Sequence, residues 1–360
     1  MRNIYDQDLE NYLAKIQLKK DLSYNESLTL FGKIIKDDAN ESQVRSILIG
    51  LAEKGESIEE IHSLVDFLKR QAIRITPKVK GKLIDTCGTG GSRLKTFNVS
   101  TAAAIIASAS GSNIAKHGNR ASSGICGSAD FLEAIGIDPL KISEFASSSI
   151  ENLGIGFLFA PFFHPALKYI SKIRKSLGIR TIFNIVGPLC NPCTNLTGQV
   201  LGVNDISLYK KLSEVVVLQS DKEFMVVHSG DGFDELTNTG LNYVSMIENG
   251  RINKFKINPI DFGIPITNVE NLLIKDRDQS ISVTLRAIYG VASKEVEDIL
   301  VMNSAASLVI SHCSKNFKEG LEISRETIKT ENGRKKLKNI VERYGDIKKL
   351  LELEKKFNLI

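Results

Sequence analysis

Two short stretches carry residue types that could hold an anion. In the first, Gly88-Thr89-Gly90-Gly91-Ser92 is followed by Thr96, Asn98, Val99, Ser100 and Thr101, and then by the alanine-rich run Ala102-Ala103-Ala104-Ile105-Ile106. Glycines let a backbone approach a ligand closely, and a helix beginning beside them offers unpaired N–H groups to negative charge. In the second, Lys116-His117-Gly118-Asn119-Arg120 leads into Ala121, Ser122, Ser123, Gly124 and, shortly after, Ser128. Two such loops in adjacent β-α units point to one phosphorylated ligand at the end of a parallel sheet. Neither standard glycine template fits. A dinucleotide fingerprint needs glycine where Arg93 stands, and a P-loop ending at Lys95-Thr96 needs glycine at Thr89 and Leu94. Two further features are weak alone: Asp234-Glu235 reads as a solvated acidic turn, and Arg174, between Lys172 and Lys175, as a surface charge.

The elements that must position these loops are legible in outline. Leu9, Tyr12, Leu13 and Ile16 recur at helical spacing, as do Val44, Ile47, Leu48 and Leu51. Ser23 with Glu26 and Ser57 with Glu60 are capping-box pairs. The first 75 or so residues therefore read as helices, ended by Pro77. Beyond them, short apolar strands such as those around Ile84 and Val226-Val227 alternate with glycine turns and alanine-rich helices, which is the pattern of an α/β domain. Ser100 is expected to cap the helix that Gly111 stops. A helical stretch returns at about 165–177.

Taken together and in order, the motifs resemble the anthranilate phosphoribosyltransferase family. The resemblance rests on Gly88-Thr89-Gly90-Gly91, on Thr96 to Thr101, on Lys116 to Arg120 and on Gly127-Ser128-Ala129-Asp130. It continues in Arg174 to Leu189, in Asp234-Glu235 after Gly230-Asp231-Gly232, and in Leu51 to Ile61 upstream. It implies a nucleoside phosphorylase/phosphoribosyltransferase-type fold: a small, mostly helical and discontinuous N-terminal domain plus a larger α/β domain with a mainly parallel central sheet. On this sequence that means 1–78 joined by a segment near 165–186, then 79–164 with 187–344, and a C-terminal extension at 345–360, with the ligand in the cleft between the domains. The implied reaction is magnesium-dependent transfer of a phosphoribosyl group from phosphoribosyl pyrophosphate to the amine of anthranilate. Phosphoribosyl pyrophosphate would be bound by Gly88, Gly91, Ser92, Thr96, Asn98, Val99, Ser100 and Thr101, and by Lys116 to Gly124 with Ser128. Anthranilate would be bound by Gly88, Asn119 and Arg174, and magnesium by Ser100, Asp234 and Glu235. No dedicated general base is assigned; His117 lines the site. The family also implies a cytoplasmic homodimer.

The chain departs from the family pattern at one informative place. Aspartate is usual where Ser92 stands, and here Arg93-Leu94-Lys95 follows where glycine is common. This puts metal stoichiometry and pyrophosphate affinity in question more than the reaction. Cys190-Asn-Pro-Cys193 has redox-motif spacing but sits in a loop without a second Cys/His pair, so it reads as structural. Five scattered cysteines fit a reducing compartment, and no apolar run approaches the ~18 residues of a membrane span. The net charge of +5 comes from one stretch, Arg334 to Lys356, with nine basic and four acidic residues. Leu337, Ile340, Val341 and Tyr344 make that stretch an amphipathic helix with a solvated basic face rather than a nucleic-acid-binding tail. Two alternatives remain: a pyrimidine nucleoside phosphorylase-like enzyme and a non-catalytic nucleic-acid-binding relative.

Overall fold

The computed structural model describes residues 7–36, 39–121, 125–219 and 221–359. Ser122, Ser123 and Gly124 lie outside the described residues. The chain divides into two compact units, Met1–Arg74 with Pro161–Pro192, and Ile75–Ala160 with Cys193–Ile360.

The first unit is helical. Helices α1 (Gln7–Gln17), α2 (Tyr24–Ile35), α3 (Glu41–Lys54) and α4 (Ile58–Gln71) bury the apolar stripes read from the sequence, with Leu9, Ile16, Leu30, Phe31, Ile47, Leu48, Leu51 and Leu64 essentially inaccessible. Both expected capping boxes form. That of α4 does more than cap: the fully buried Glu60 carboxylate accepts from Ser57 N at 2.8 Å, Leu22 N at 2.9 Å and Lys54 Nζ at 3.0 Å. A buried carboxylate requires such a set of donors. The helix Lys168–Leu177 belongs to this unit and buries Ile170 and Ile173, while Phe183 meets Phe31 edge-on at 6.4 Å.

The second unit is a seven-stranded sheet in the order β3-β2-β1-β4-β5-β6-β7. Strands β1 (Leu83–Gly88), β2 (Asn113–Gly118), β3 (Ile155–Phe159), β4 (Gly198–Gly202) and β5 (Glu223–Ser229) are parallel. Strands β6 (Asn242–Glu248) and β7 (Arg251–Ile257) extend them antiparallel. Helix α5 (Val99–Ala109) follows β1 and is buried almost all round, which explains its alanine and isoleucine content. With β1 and β2 adjacent and parallel, the loops after Gly88 and Gly118 leave the sheet at the same end.

One expectation needs correction. The N-cap of α5 is Asn98, not Ser100, and its side chain makes no capping bond; Ser100 lies inside the first turn. Asn98 is turned instead to a distant helix, Arg277–Tyr289, where its N donates to Thr284 Oγ1 at 3.1 Å and its Nδ2 to Ser280 Oγ at 3.3 Å. The C-terminal extension packs on the α/β unit through residues 345–359. Its helix Ile347–Lys356 buries Leu350 and Glu354, and Asp346 N donates to Gly136 O at 2.9 Å.

Candidate active site

A cavity of about 300 Å³ opens at the C-terminal ends of β1 and β2. Of the sequence-predicted residues, it brings together Gly88, Gly91, Ser92, Thr96, Asn98, Val99, Ser100, Thr101, Lys116, His117, Gly118, Asn119, Arg120, Ala121, Ser128, Asp234 and Glu235.

The glycine loop is shaped by two left-handed residues, Gly90 at φ +63° and Gly91 at φ +78°. Such values suit glycine and strain most other residues. Close approach fixes Gly88 differently: a Cβ there would stand 2.2 Å from Asp234 Oδ2. That same Oδ2 accepts from Gly90 N at 2.7 Å, so the acidic turn and the glycine loop form one cradle. Ser92 is buried and donates to Gly232 O at 3.1 Å, which places position 92 against the acidic turn. Lys95 Nζ donates to the Ser92 carbonyl, and its charge also reaches Glu235. Arg93, by contrast, is exposed.

Glu235 carries the electrostatic tension of the site. Burial and the neighbouring Asp234 carboxylate push its carboxyl well above the usual range, and Lys95 opposes this only in part. Two adjacent carboxylates facing a ligand cavity are a hard-oxygen donor set, and a divalent cation would remove the repulsion. The residues therefore fit magnesium, with Ser100 reaching the same cavity from the first turn of α5.

On the β2 side, the buried Lys116 amine donates to Thr86 O at 2.7 Å and to Ser100 Oγ at 3.1 Å. Burial pulls its pKa down, against the pull of the Asp85 carboxylate. Asp85, fully buried on β1, accepts from His117 N at 3.2 Å and so fixes the end of β2 that leads into the second loop. Arg120 is exposed and held by carboxylates: its guanidinium donates to Asp130 Oδ1 at 3.2 Å and to Glu133 at 2.8 and 3.1 Å. Hydrogen bonds to Glu133 and Asp130 hold it firmly charged.

Asp130 is a residue whose part sequence reasoning missed. Its Oδ2 accepts from Ala121 N at 2.9 Å and Gly127 N at 2.8 Å, pinning the loop before helix α6 (Ser128–Ala134). The signal was present, since Gly127 and Asp130 have capping-box spacing. Thr89, Gly90, Lys95, Phe97 and Cys126 also line the cavity, none of them among the assigned ligand residues. Cys193 is buried and its thiol is pushed up, as befits a structural cysteine rather than a redox one.

Arg174 lies in the helical unit, on the helix Lys168–Leu177. Its guanidinium stacks 5.5 Å from the Phe183 ring centre, and its buried Nε has no hydrogen-bond partner among the described residues. Burial lowers its pKa. A part-buried guanidinium left with donors to spare is an unusual surface charge and a reasonable anion receptor.

Known proteins place this arrangement. Residues 80–334 match the family model described as the glycosyl transferase family a/b domain, and residues 10–72 match its helical bundle domain. An anthranilate phosphoribosyltransferase of Thermoanaerobacter sp. (strain X514) is 42% identical over 334 residues, covering 93% of this chain and 98% of the relative. One from Persephonella marina is 38% identical, covering 89% and 94% respectively. Among solved structures, the Thermus thermophilus anthranilate phosphoribosyltransferase superposes with a TM-score of 0.83 at 30% identity, covering 94% of this chain and 98% of its own. The Saccharomyces cerevisiae enzyme in complex with phosphoribosyl pyrophosphate and magnesium gives a TM-score of 0.83 at 28% identity, with the same coverage. Likeness over nearly the whole length, in sequence and in fold, settles the membership: the chain belongs to the anthranilate phosphoribosyltransferase family.

Proposed function

We propose the following division of labour among the site residues for the family's reaction. The chain is a pentosyltransferase that uses phosphoribosyl pyrophosphate, anthranilate and magnesium, displacing pyrophosphate from the ribose by the anthranilate amine in the tryptophan pathway. Charge grows on the pyrophosphate as it leaves, so the protein's main task is to meet that charge with donors already in place. Gly88, Gly91, Ser92 and Thr96, with Asn98 to Thr101, present backbone N–H and hydroxyl groups to the pyrophosphate. The second loop, Lys116 to Gly124 with Ser128, takes the remaining phosphate. Asp234, Glu235 and Ser100 hold magnesium, which when bound supplies positive charge to the leaving group. Arg174 takes the anthranilate carboxylate as a planar fork, and Gly88 and Asn119 serve the same substrate. The amine is itself the nucleophile, so the site needs no strong base.

The observation that carries this reading is the convergence of both glycine-bearing loops and the acidic pair on one cavity. The chain is assigned to the cytoplasm and to a homodimer on the strength of the family alone. Among the described residues, no helix is long and apolar enough to cross a membrane. Purified protein given anthranilate, phosphoribosyl pyrophosphate and magnesium is expected to consume the anthranilate fluorescence, and to stop doing so when magnesium is chelated. Fluorescence that persists under all conditions overturns the reading.

A further inference from the structure

The strands that deliver the phosphate loops have their other ends on the far side of the α/β unit. There, a second set of ligand-type side chains converges. Glu223 opens β5, Glu248 closes β6, and His312 follows the helix Lys294–Ile310. One ligand atom from each lies within 4.8 Å of the others. Glu248 and His312 are exposed and Glu223 is half-buried, so an ion can reach them from solvent.

The present contacts are those of a place built for positive charge. Lys82 Nζ donates to Glu223 Oε1 and stands 2.9 Å from His312 Nε2. The same Nε2 is 3.0 Å from Glu223 Oε2. It cannot serve both neighbours. As an acceptor from the ammonium it has no proton for the carboxylate; protonated, it faces the ammonium as a like charge. A metal ion resolves the conflict, because it accepts the imidazole lone pair and both carboxylates together. One imidazole with two carboxylates suits zinc or a similar borderline divalent ion better than magnesium, which prefers all-oxygen octahedra. Tetrahedral bonds of about 2.0–2.2 Å set ligand atoms roughly 3.4 Å apart, so the set must close by little more than about 1 Å.

We propose that Glu223, Glu248 and His312 form a divalent-cation site of the zinc class, with water completing the shell and Lys82 as the resident cation when metal is absent. All three ligands stand at or just beyond the ends of regular elements. A bound ion therefore ties the start of β5, the end of β6 and the turn after the helix into one corner, and stabilises the folded α/β unit.

The test is zinc titration of the full chain by calorimetry and thermal unfolding, in wild type and single variants, with Co²⁺ absorption as the report on geometry. Zinc is expected to raise the melting temperature of the wild type, and His312→Ala to lose one equivalent of bound metal and that rise. Lys82→Met, which removes the competing ammonium, is expected to bind zinc at least about tenfold tighter. Identical titrations for wild type and His312→Ala overturn the site, as does weaker binding by Lys82→Met. A cobalt spectrum with a thiolate band that disappears in Cys313→Ser overturns the ligand set.

Discussion

Glu235 and Arg174 are both held at a cost: one carboxyl lies beside another, and one part-buried guanidinium keeps an Nε without a hydrogen-bond partner among the described residues. For Arg174→Ala, loss of a charge-assisted bond worth about 1.5–3 kcal/mol corresponds to roughly a 10- to 150-fold rise in the KM for anthranilate. The KM for phosphoribosyl pyrophosphate should change little, and steady-state kinetics in both substrates checks the split. An unchanged anthranilate KM would dismiss the assignment. Ser92→Asp restores the residue usual in the family, but here position 92 packs on Gly232 O beside the acidic pair, with Lys95 close by. A third carboxylate is tolerable only when metal bridges it, so the variant is expected to depend more steeply on magnesium than the wild type and to bind phosphoribosyl pyrophosphate more weakly at low magnesium. Superimposable magnesium titrations would show that position 92 is silent. The sequence named most of these side chains because their types are chemically specific. It missed the Ser280–Thr284 support of Asn98, because a hydrogen bond from one loop to a distant helix leaves no local pattern; Asp130 did leave one, its capping-box spacing from Gly127.

At the scale of elements, periodicity and capping chemistry carried far: the four N-terminal helices and both capping boxes are where the spacing puts them. Ser100 failed as an N-cap because tertiary contacts override local preference: Asn98 N already has a partner in Thr284, so α5 starts earlier than hydroxyl placement suggests. Some consequences of burial only the fold reveals. His164 is 5% exposed, its Nε2 bonded to Cys190 O at 2.9 Å, and burial brings its pKa from 6.5 to about 4. The folded chain keeps this imidazole neutral while the unfolded chain protonates it, so stability is full above pH 6.5 and is lost as pH falls from 6.5 toward 4. The loss should reach about 3 kcal/mol, at 1.36 kcal/mol per pH unit. Urea unfolding of wild type and His164→Gln at neutral and acid pH isolates it; parallel losses in both proteins would rule it out.

Over the whole molecule, the alternation of strand and helix foretold a parallel α/β sheet, whereas the place of residues 345–360 was illegible. A basic amphipathic pattern looks alike whether it caps a unit or trails from it. In the fold, the fully buried Glu354 accepts from Tyr289 OH at 2.8 Å and Lys338 Nζ at 3.0 Å, and burial with this carboxylate pushes the Tyr289 phenol up. Ending the chain at Tyr344 exposes the surface under Leu350 and Leu359, about 1.5–3 kcal/mol for each leucine, and strands Tyr289 and Lys338. The melting temperature of the truncated protein should fall clearly, and Glu354→Gln should lower it less; equal stability would show that the segment contributes nothing to the unit.

Arg120 adds a consequence for ion exchange. Its guanidinium already carries two carboxylate partners, Asp130 and Glu133. A phosphate that takes it displaces protein anions rather than water, so the cation count of the cavity overstates the net pairs gained. The KM for phosphoribosyl pyrophosphate should then rise only gently with ionic strength, and Glu133→Gln, by removing one of the two carboxylate partners, should make the rise steeper.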